Sequence, residues 1–496
     1  MIRFKKFYVT TPIYYVNDVP HIGSAFTTIA ADVLARFHRI KGEEVFFLTG
    51  TDEHGKKIQE IAESKDKKPK DFVDDIVKSF KEMWTLLNVT NNNFIRTTDP
   101  NHVKDVKRIL QELYDKKLIY KGSYKSYYCT GCEQYLTQKD LVDGCCPLHK
   151  KEPEIREEES YLFKLSEFQN KILELIENDK VRILPDSRKN EMVNVIKEGL
   201  NDISISRKKS EVYWGVELPF DTDYTCYVWV DAFWNYVTGL GKEFEKFWPP
   251  DVQLMAKDIS RVHSTIWLGL LLALGYELPK IIFVHGYFTV DGKKMSKSLG
   301  NIVDPKKIVE KYGLDPLRYY LFRDTPFGED GDFSESGLLD RYNSELADSL
   351  GNLVNRVLVL VEKNFDGKIP ERQDEEKLNT IALGTVKNYE RDMENYQFHH
   401  ALQHIFFLVG ESNKYINENK LWEIKDKKKL GGLLYELLES IRISAILLYP
   451  FIPETSEKIF DQLGLDKKFS FKDLEWGGLS PLKKINRGEV LFKKIK

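Results

Sequence analysis

The sequence predicts an α/β protein: a split, doubly wound parallel sheet, an inserted segment with a cysteine-rich knuckle, and a C-terminal α-helical bundle. Three observations predict it. At the N-terminus, a β-rich run, a helix-period run and a second apolar β-run follow one another between "FYVTT" (7–11) and "EVFFLTG" (44–50), the pattern of a βαβ unit. Four of the five cysteines, Cys129, Cys132, Cys145 and Cys146, fall in one loop-like stretch. Beyond about residue 340 the β-type runs vanish and helical periods take over.

The elements follow in order. Residues 7–11 read as a strand. From His21, apolar residues recur at Ile22, Phe26, Ile29, Val33 and Phe37, which is helical spacing, and Gly42 ends the helix. Residues 44–50 read as a buried strand and 70–120 as charged helix. The segment 116–225 reads as an insertion; its charge run "KEPEIREEES" (151–160) is taken as solvated surface. Strand-like runs return at "CYVWV" (226–230), "VQLMA" (252–256) and "KIIFV" (280–284). "FTVDGKKM" (288–295) carries an Asp-Gly turn between short strands, a hairpin signal. Amphipathic helices are expected over 341–364 and 434–460, with a loop at 364–377. The expected units are 1–115 and 226–287 as two halves of a Rossmann-type domain, 116–225 as the connective insertion, 288–345 as a linking unit and 346–496 as the helical bundle.

At 496 residues the chain is too long for one core, and about 150 residues per domain suggests three. A net charge of −3 excludes a global basic field but not a local basic face for RNA. The basic end "KKINRGEVLFKKIK" is read as a solvated tail. The N-terminus lacks the layout of a signal peptide. The most apolar stretch, "TIWLGLLLALGY" (265–276), is a dozen residues, against about 20 for a bilayer span. A cytoplasmic protein with no membrane partner is expected.

An odd total of five cysteines, four of them tightly clustered, argues for metal over a disulfide framework. Cys129-x-x-Cys132 and Cys146-x-x-His149 form two hooks suited to a tetrahedral site of three thiolates and one imidazole, which favours structural Zn²⁺. Cys145 adjoins Cys146 and is the alternative ligand; Cys226 reads as a core thiol.

"HIGS" (21–24) sits where the first strand hands over to the first helix. The N–H groups and positive end of a helix suit phosphate there, Gly23 permits close approach to the backbone, and His21 can donate to phosphate oxygens. "DGKKMSKSLGN" (291–301) places Lys294 and Lys297 in a loop after the last sheet strand. Such a cationic loop can close on a polyphosphate.

Together with "TTPIYYVND", "FLTGTDEHG", "FIRTTDP", "YYCTGCE", "ISISR", "WGVELPF", "YVWVDA" and "DPLRYYLFRDTPFGEDGDFS", these stretches make the chain resemble the methionyl-tRNA synthetases, a family of class I aminoacyl-tRNA synthetases, over essentially its whole length. The resemblance implies activation of L-methionine by ATP to methionyl-adenylate, with Mg²⁺ accompanying the nucleotide, followed by transfer to tRNA(Met), initiator tRNA included. It implies ATP contacts from His21, Gly23, Ser24, Asp258, Lys294 and Lys297, with His21 and the two lysines as the catalytic groups and Asp258 at the ribose. It implies a methionine pocket of Ile13, Tyr15, Trp229, Ala232, Tyr236 and His263, with Asp52 pairing the substrate ammonium; an unbranched thioether suits an aromatic-lined slot. In the bundle it implies that Asn352 and Arg356, four apart on one helix face, read the CAU anticodon with Trp422 as a stacking platform. A monomer is expected.

Three positions depart from the family pattern: Ser24 where a second histidine is usual, Ala256 where glycine is usual, and Val262 where an aromatic is usual. They raise an alternative, a weakened or inactive tRNA-binding paralogue. The synthetases for isoleucine, valine and leucine share the two nucleotide motifs but carry a large editing insertion, for which this chain has no room. The cysteine enzyme holds its metal at the substrate, whereas these cysteines lie in the insertion.

Overall fold

The computed structural model describes residues 5–130, 134–136, 138, 141–147, 150–290, 292–294, 301–373 and 377–495. Its central sheet has seven strands: β1 (Lys6–Thr10), β2 (Tyr14–Tyr15), β3 (Glu44–Asp52), β4 (Asn93–Arg96), β5 (Arg182–Leu184), β6 (Val252–Ala256) and β7 (Ile281–His285). The order is β2-β3-β1-β6-β7-β5, with β4 also pairing β3, and every pairing is parallel. Because both faces are covered, β3 and β6 are buried along nearly their whole length. The first helix, α1 (Ile22–Ile40), connects β1 to β3 and is buried along almost its whole length. The strand order reverses between β1 and β6, which pair through Val9↔Val252 and Thr10↔Gln253. That reversal opens a crevice at the carboxyl ends of these strands, where ligands of such sheets bind.

The predicted strands at 7–11, 44–50, 252–256 and 280–284 are present, as is α1. Several elements differ. The 70–120 span is two helices, Pro69–Leu86 and Pro100–Asp115, with strand β4 (Asn93–Arg96) between them, and the 434–460 span is divided between the helices Lys427–Leu448 and Pro453–Gln462. Of "CYVWV" only Cys226 is strand, the last residue of Asp221–Cys226, which is the middle strand of a small antiparallel sheet outside the central one; Val228–Phe233 is helix. A short run of Val, Trp and Tyr has the same composition in a strand and in a buried helical turn, so periodicity alone does not separate them. The charge run at 151–160 is a strand, Glu154–Phe163, paired antiparallel with Ile119–Cys129 along its length. Cross-strand ion pairing such as Lys121 Nζ–Glu159 at 2.7 Å lets a charged sequence occupy a solvent-facing ladder. The chain also returns to the central sheet within the 116–225 segment, as β5 pairs with β7.

The hairpin Phe288–Val290/Lys293–Lys294 forms as expected around Gly292, whose φ of +72° favours glycine. Helices Asn352–Phe365, Lys377–Glu394, Phe398–Glu418, Lys427–Leu448 and Pro453–Gln462 build the bundle. The basic C-terminal segment is not a free tail. Ile485 is buried, Ile369 and Lys483 join by a backbone hydrogen bond of 2.9 Å, and the Tyr342 hydroxyl donates to the Lys493 carbonyl at 2.9 Å. Alternation of Ile and Leu with lysines lets the strip seal the bundle while its charges stay in water.

One buried arginine ties the bundle to the sheet domain. Arg318 donates to Asp32 of α1 at 2.8 Å and to the carbonyls of Leu87, Pro450 and Phe451 at 3.1, 2.9 and 2.8 Å. Arg36 binds the same aspartate at 2.7 Å. Burial pushes the Asp32 carboxyl up, but the two guanidiniums outweigh it and hold it at about 2.

Candidate active site

The crevice is built from the loops that follow β1, β3, β6 and β7. His21 caps α1: its backbone is extended, and its Nδ1 accepts the Gly23 N–H at 3.1 Å. With Nδ1 accepting, the ring proton sits on Nε2, so the ring can donate from that nitrogen. A side chain at Gly23 would sit 2.9 Å from the His21 ring, so glycine is what lets the imidazole fold over the helix start. Ser24 completes a capping box. Its hydroxyl donates to the His21 carbonyl at 2.8 Å and accepts the His21 N–H at 3.0 Å. Serine at this position therefore orders the helix start around His21.

The lysine loop is anchored at both ends beside that helix. Its hairpin runs parallel to Gly331–Phe333. The chain emerges at Asn301–Val303, and the Val303 carbonyl accepts the Ile22 N–H in the first turn of α1 at 3.2 Å. Lys294 lies on the second hairpin strand; Lys297 lies outside the described residues. Across the crevice, Asp258 is exposed just beyond β6, with the Tyr287 hydroxyl as a neighbour. Lys257 spans the same corner, pairing with Asp330 at 2.7 Å and lying 4.6 Å from the centre of the Tyr287 ring. Ala256 is the last residue of β6, half-buried opposite His285.

A second wall is aromatic. Tyr236 is buried, and its hydroxyl lies 2.8 Å from Nε2 of His263. Nδ1 of His263 donates to the Ile259 carbonyl at 2.9 Å. Burial pulls the imidazole down to about 4, so it is neutral near pH 7 and Nε2 accepts from the phenol. The Phe233 ring meets His263 edge-on at 5.0 Å. His263 begins a π-helical turn, His263–Trp267, a local irregularity frequent at functional sites. Val262 is buried in the neighbouring apolar cluster.

Trp229 and Ala232 are half-buried on the Val228–Phe233 helix, with Trp229 stacked on Tyr227 at 6.2 Å. Tyr15 pairs in register with Asp52 at the end of β3, and Asp52 is buried. Ile13 packs against a different cluster, that of Tyr8, Phe46 and Leu48. The Tyr8 hydroxyl donates to the Tyr236 carbonyl at 2.7 Å, joining that cluster to the aromatic wall.

Sequence reasoning missed a buried network behind this wall. Asp231 accepts from His54 Nδ1 at 2.6 Å and from His102 Nε2 at 2.9 Å. Burial pushes the Asp231 carboxyl up, yet the two imidazoles hold it at about 2. The partners stand 177 and 129 residues from Asp231 in sequence, so no local period links them; His54 lies in "FLTGTDEHG", Asp231 in "YVWVDA", and His102 two residues beyond "FIRTTDP".

In the insertion, Cys129 and Cys146 are buried in one small cluster with Leu136, and neither forms a disulfide. Cys145 is half-buried, its backbone paired with Val142. Cys132 and His149 lie outside the described residues, and among the described residues no three metal-binding side chains converge. Cys226 is buried, and burial pushes its thiol up, as suits a core residue. In the bundle, Asn352 is exposed, Arg356 donates to Asn417 at 2.8 Å, and Trp422 is exposed just beyond the helix that carries Asn417.

The chain matches the family described as "tRNA synthetases class I (M)" over 7–152 and 137–358, and the "Anticodon-binding domain of tRNA ligase" over 378–487. It is 46% identical to a methionine–tRNA ligase of Caldanaerobacter subterraneus subsp. tengcongensis across 99% of this chain and 79% of the relative. It is 41% identical to that of Bacillus subtilis across 99% and 78%. Its fold superposes on the methionyl-tRNA synthetase of Mycobacterium tuberculosis in complex with methionyl-adenylate with a TM-score of 0.94 at 36% identity, covering 99% of this chain and all of the other. Sequence, fold and crevice agree: the chain belongs to the methionyl-tRNA synthetase family of class I aminoacyl-tRNA synthetases.

Proposed function

We propose that this protein activates L-methionine with ATP at the crevice between β1 and β6 and transfers the methionyl group to the 3′ end of tRNA. The observation that carries the reading is the neutral, buried Tyr236–His263 pair at the aromatic wall of a crevice whose other side is the His21-capped start of α1. An uncharged pair suits a thioether side chain, since burying a charged imidazole against it would carry a desolvation cost. Asp52, at the end of β3, would hold the methionine ammonium; Tyr15, Trp229, Ala232 and Ile13 would complete the slot.

Activation is an in-line attack of the methionine carboxylate on the α-phosphate of ATP. The chain's part is orientation and charge stabilisation. His21 would donate from Nε2 to a phosphate oxygen, Gly23 would let the nucleotide approach the backbone, and Asp258 would accept from the ribose hydroxyls. Lys294 and Lys297, on a span tied to the first turn of α1 through Val303, would draw the leaving pyrophosphate away. Mg²⁺, entering with ATP, would share the neutralisation of phosphate charge.

The units follow from this chemistry. Residues 1–115 and 226–287 form the nucleotide-binding halves, 116–225 the connective insertion with its edge strand β5, 288–345 the lysine loop and linker, and 346–496 the anticodon reader. Cys129, Cys132, Cys146 and His149 would hold a structural Zn²⁺. The burial of Cys129 and Cys146 together in one apolar cluster supports this pairing over Cys145. Asn352, Arg356 and Trp422 would read the CAU anticodon of initiator and elongator tRNA(Met). No helix among the described residues is long and apolar enough to cross a membrane, and a cytoplasmic enzyme is proposed. A monomer is proposed. Aminoacylation tests the reading: methionine should be attached to a tRNA carrying CAU and not to the same tRNA with an altered anticodon. Indifference to the anticodon would overturn the role of the bundle.

A further inference from the structure

We infer that Asp231, His54 and His102 form a positioning network that sets the affinity of the methionine slot while leaving the ATP side untouched. The inference rests on the assignment of that slot to Trp229, Ala232 and Asp52. Trp229 and Ala232 flank Asp231 on a helix of only six residues, Val228–Phe233. A helix that short is not stable by itself and takes its position from what grips it. Asp231 supplies the grip, because it is fully buried and both of its oxygens are engaged, with His54 at 2.6 Å and His102 at 2.9 Å.

The two histidines come from different parts of the sheet domain. His54 stands two residues beyond Asp52 in the turn after β3. That turn is held from its other side by Trp214, whose indole N–H donates to the Glu53 carbonyl at 2.6 Å, whose carbonyl accepts the Gly55 N–H at 2.9 Å, and whose ring lies edge-on to His54 at 5.4 Å. His102 lies on the helix Pro100–Asp115, and its Nδ1 is 2.7 Å from the Thr238 hydroxyl just past Tyr236. The aspartate thus links the residues proposed to take the methionine side chain, Trp229 and Ala232, to the residue proposed to take its ammonium, Asp52, and to the turn that carries Tyr236. None of these bonds reaches His21, Asp258 or the lysine loop. Loss of the carboxylate would leave one imidazole N–H facing an amide N–H, a buried donor without an acceptor.

Asp231→Asn is therefore expected to raise KM for methionine about tenfold in ATP–pyrophosphate exchange, with KM for ATP held within about twofold. His102→Leu should act in the same direction and His102→Gln, which keeps an N–H donor, should restore much of the loss. A parallel rise in both KM values, or an unchanged KM for methionine in folded Asp231→Asn, would overturn the inference. If Asp231→Asn does not fold, the Leu/Gln pair at 102 decides: no difference between the two in KM for methionine overturns it. Trp229→Ala separates the two levels. If it leaves KM for methionine unchanged, the slot itself is misassigned; if it raises KM while Asp231→Asn does not, only the positioning role fails.

Discussion

The Tyr236 hydroxyl donates to Nε2 of a neutral His263 across 2.8 Å, while the opposite nitrogen donates to the Ile259 carbonyl. One tautomer is thereby fixed on the wall proposed to meet the substrate side chain. Tyr236→Phe removes the donor and leaves the imidazole acceptor without its partner, which costs on the order of 1–3 kcal/mol where the group stays buried. KM for methionine should rise several-fold to about a hundredfold, with KM for ATP unchanged, as read by pyrophosphate exchange.

Because burial holds His263 at about 4, the proton needed to disrupt this pair arrives only in acid. KM for methionine should be flat from about pH 5.5 to 8, against a normal histidine value near 6.5. A titration of KM near pH 6.5 would show that His263 is solvated.

Stability should follow the same groups. His263 and His285 have folded values near 4, below their unfolded values. The unfolded chain therefore binds more protons as pH falls from about 6.5 to 4, and stability declines across that window. Asp32 and Asp231, held at about 2, stabilise the fold above their unfolded value near 3.9, and that contribution is lost as pH falls through about 4 to 2. Denaturant titrations at stepped pH should show both declines, and Asp32→Asn should weaken the lower one.

Ser24→Ala removes the reciprocal bonds with the His21 backbone. A loss of about 1 kcal/mol is expected, the usual scale for a helix N-cap contact, seen as a lowered denaturation midpoint. Pyrophosphate exchange should persist in this variant, because the serine orders His21 without itself carrying charge. This role also removes the main motive for reading the chain as an inactive paralogue.

Much of this site was legible in the sequence, and the reasons are local. His21, Gly23 and the lysine loop sit in short motifs whose chemistry depends on neighbouring residues, and the strands that present them have strong apolar runs. The Asp231 network was not legible, because its three members meet only after β3, the Pro100–Asp115 helix and the Val228–Phe233 helix pack together. The strand at Glu154–Phe163 was hidden by its charges, and the C-terminal strip by its lysines, since in both cases an apolar face is thinly written. Arg318 gave no sign of its position, yet it is buried at the junction of α1 and the bundle.

That junction yields a further prediction. Arg318→Met leaves Asp32 with one guanidinium and three backbone carbonyls without their donor. Breaking a buried pair on one side costs about 3–5 kcal/mol. The variant should unfold at distinctly lower denaturant, and Asp32→Asn combined with it should cost less than the sum of the two.

The proposed zinc site has a direct chemical check. Cys146→Ser should lower bound zinc from one to near zero per chain by elemental analysis, whereas Cys145→Ser should retain it. The opposite pattern would move the ligand to Cys145.

ATP–pyrophosphate exchange on the purified protein, with isoleucine, leucine, valine and cysteine alongside methionine, tests most directly whether the crevice activates methionine. Exchange that depends on methionine and is weak or absent with the other four is the predicted result. Folded protein that binds tRNA yet shows no exchange with any amino acid would contradict it.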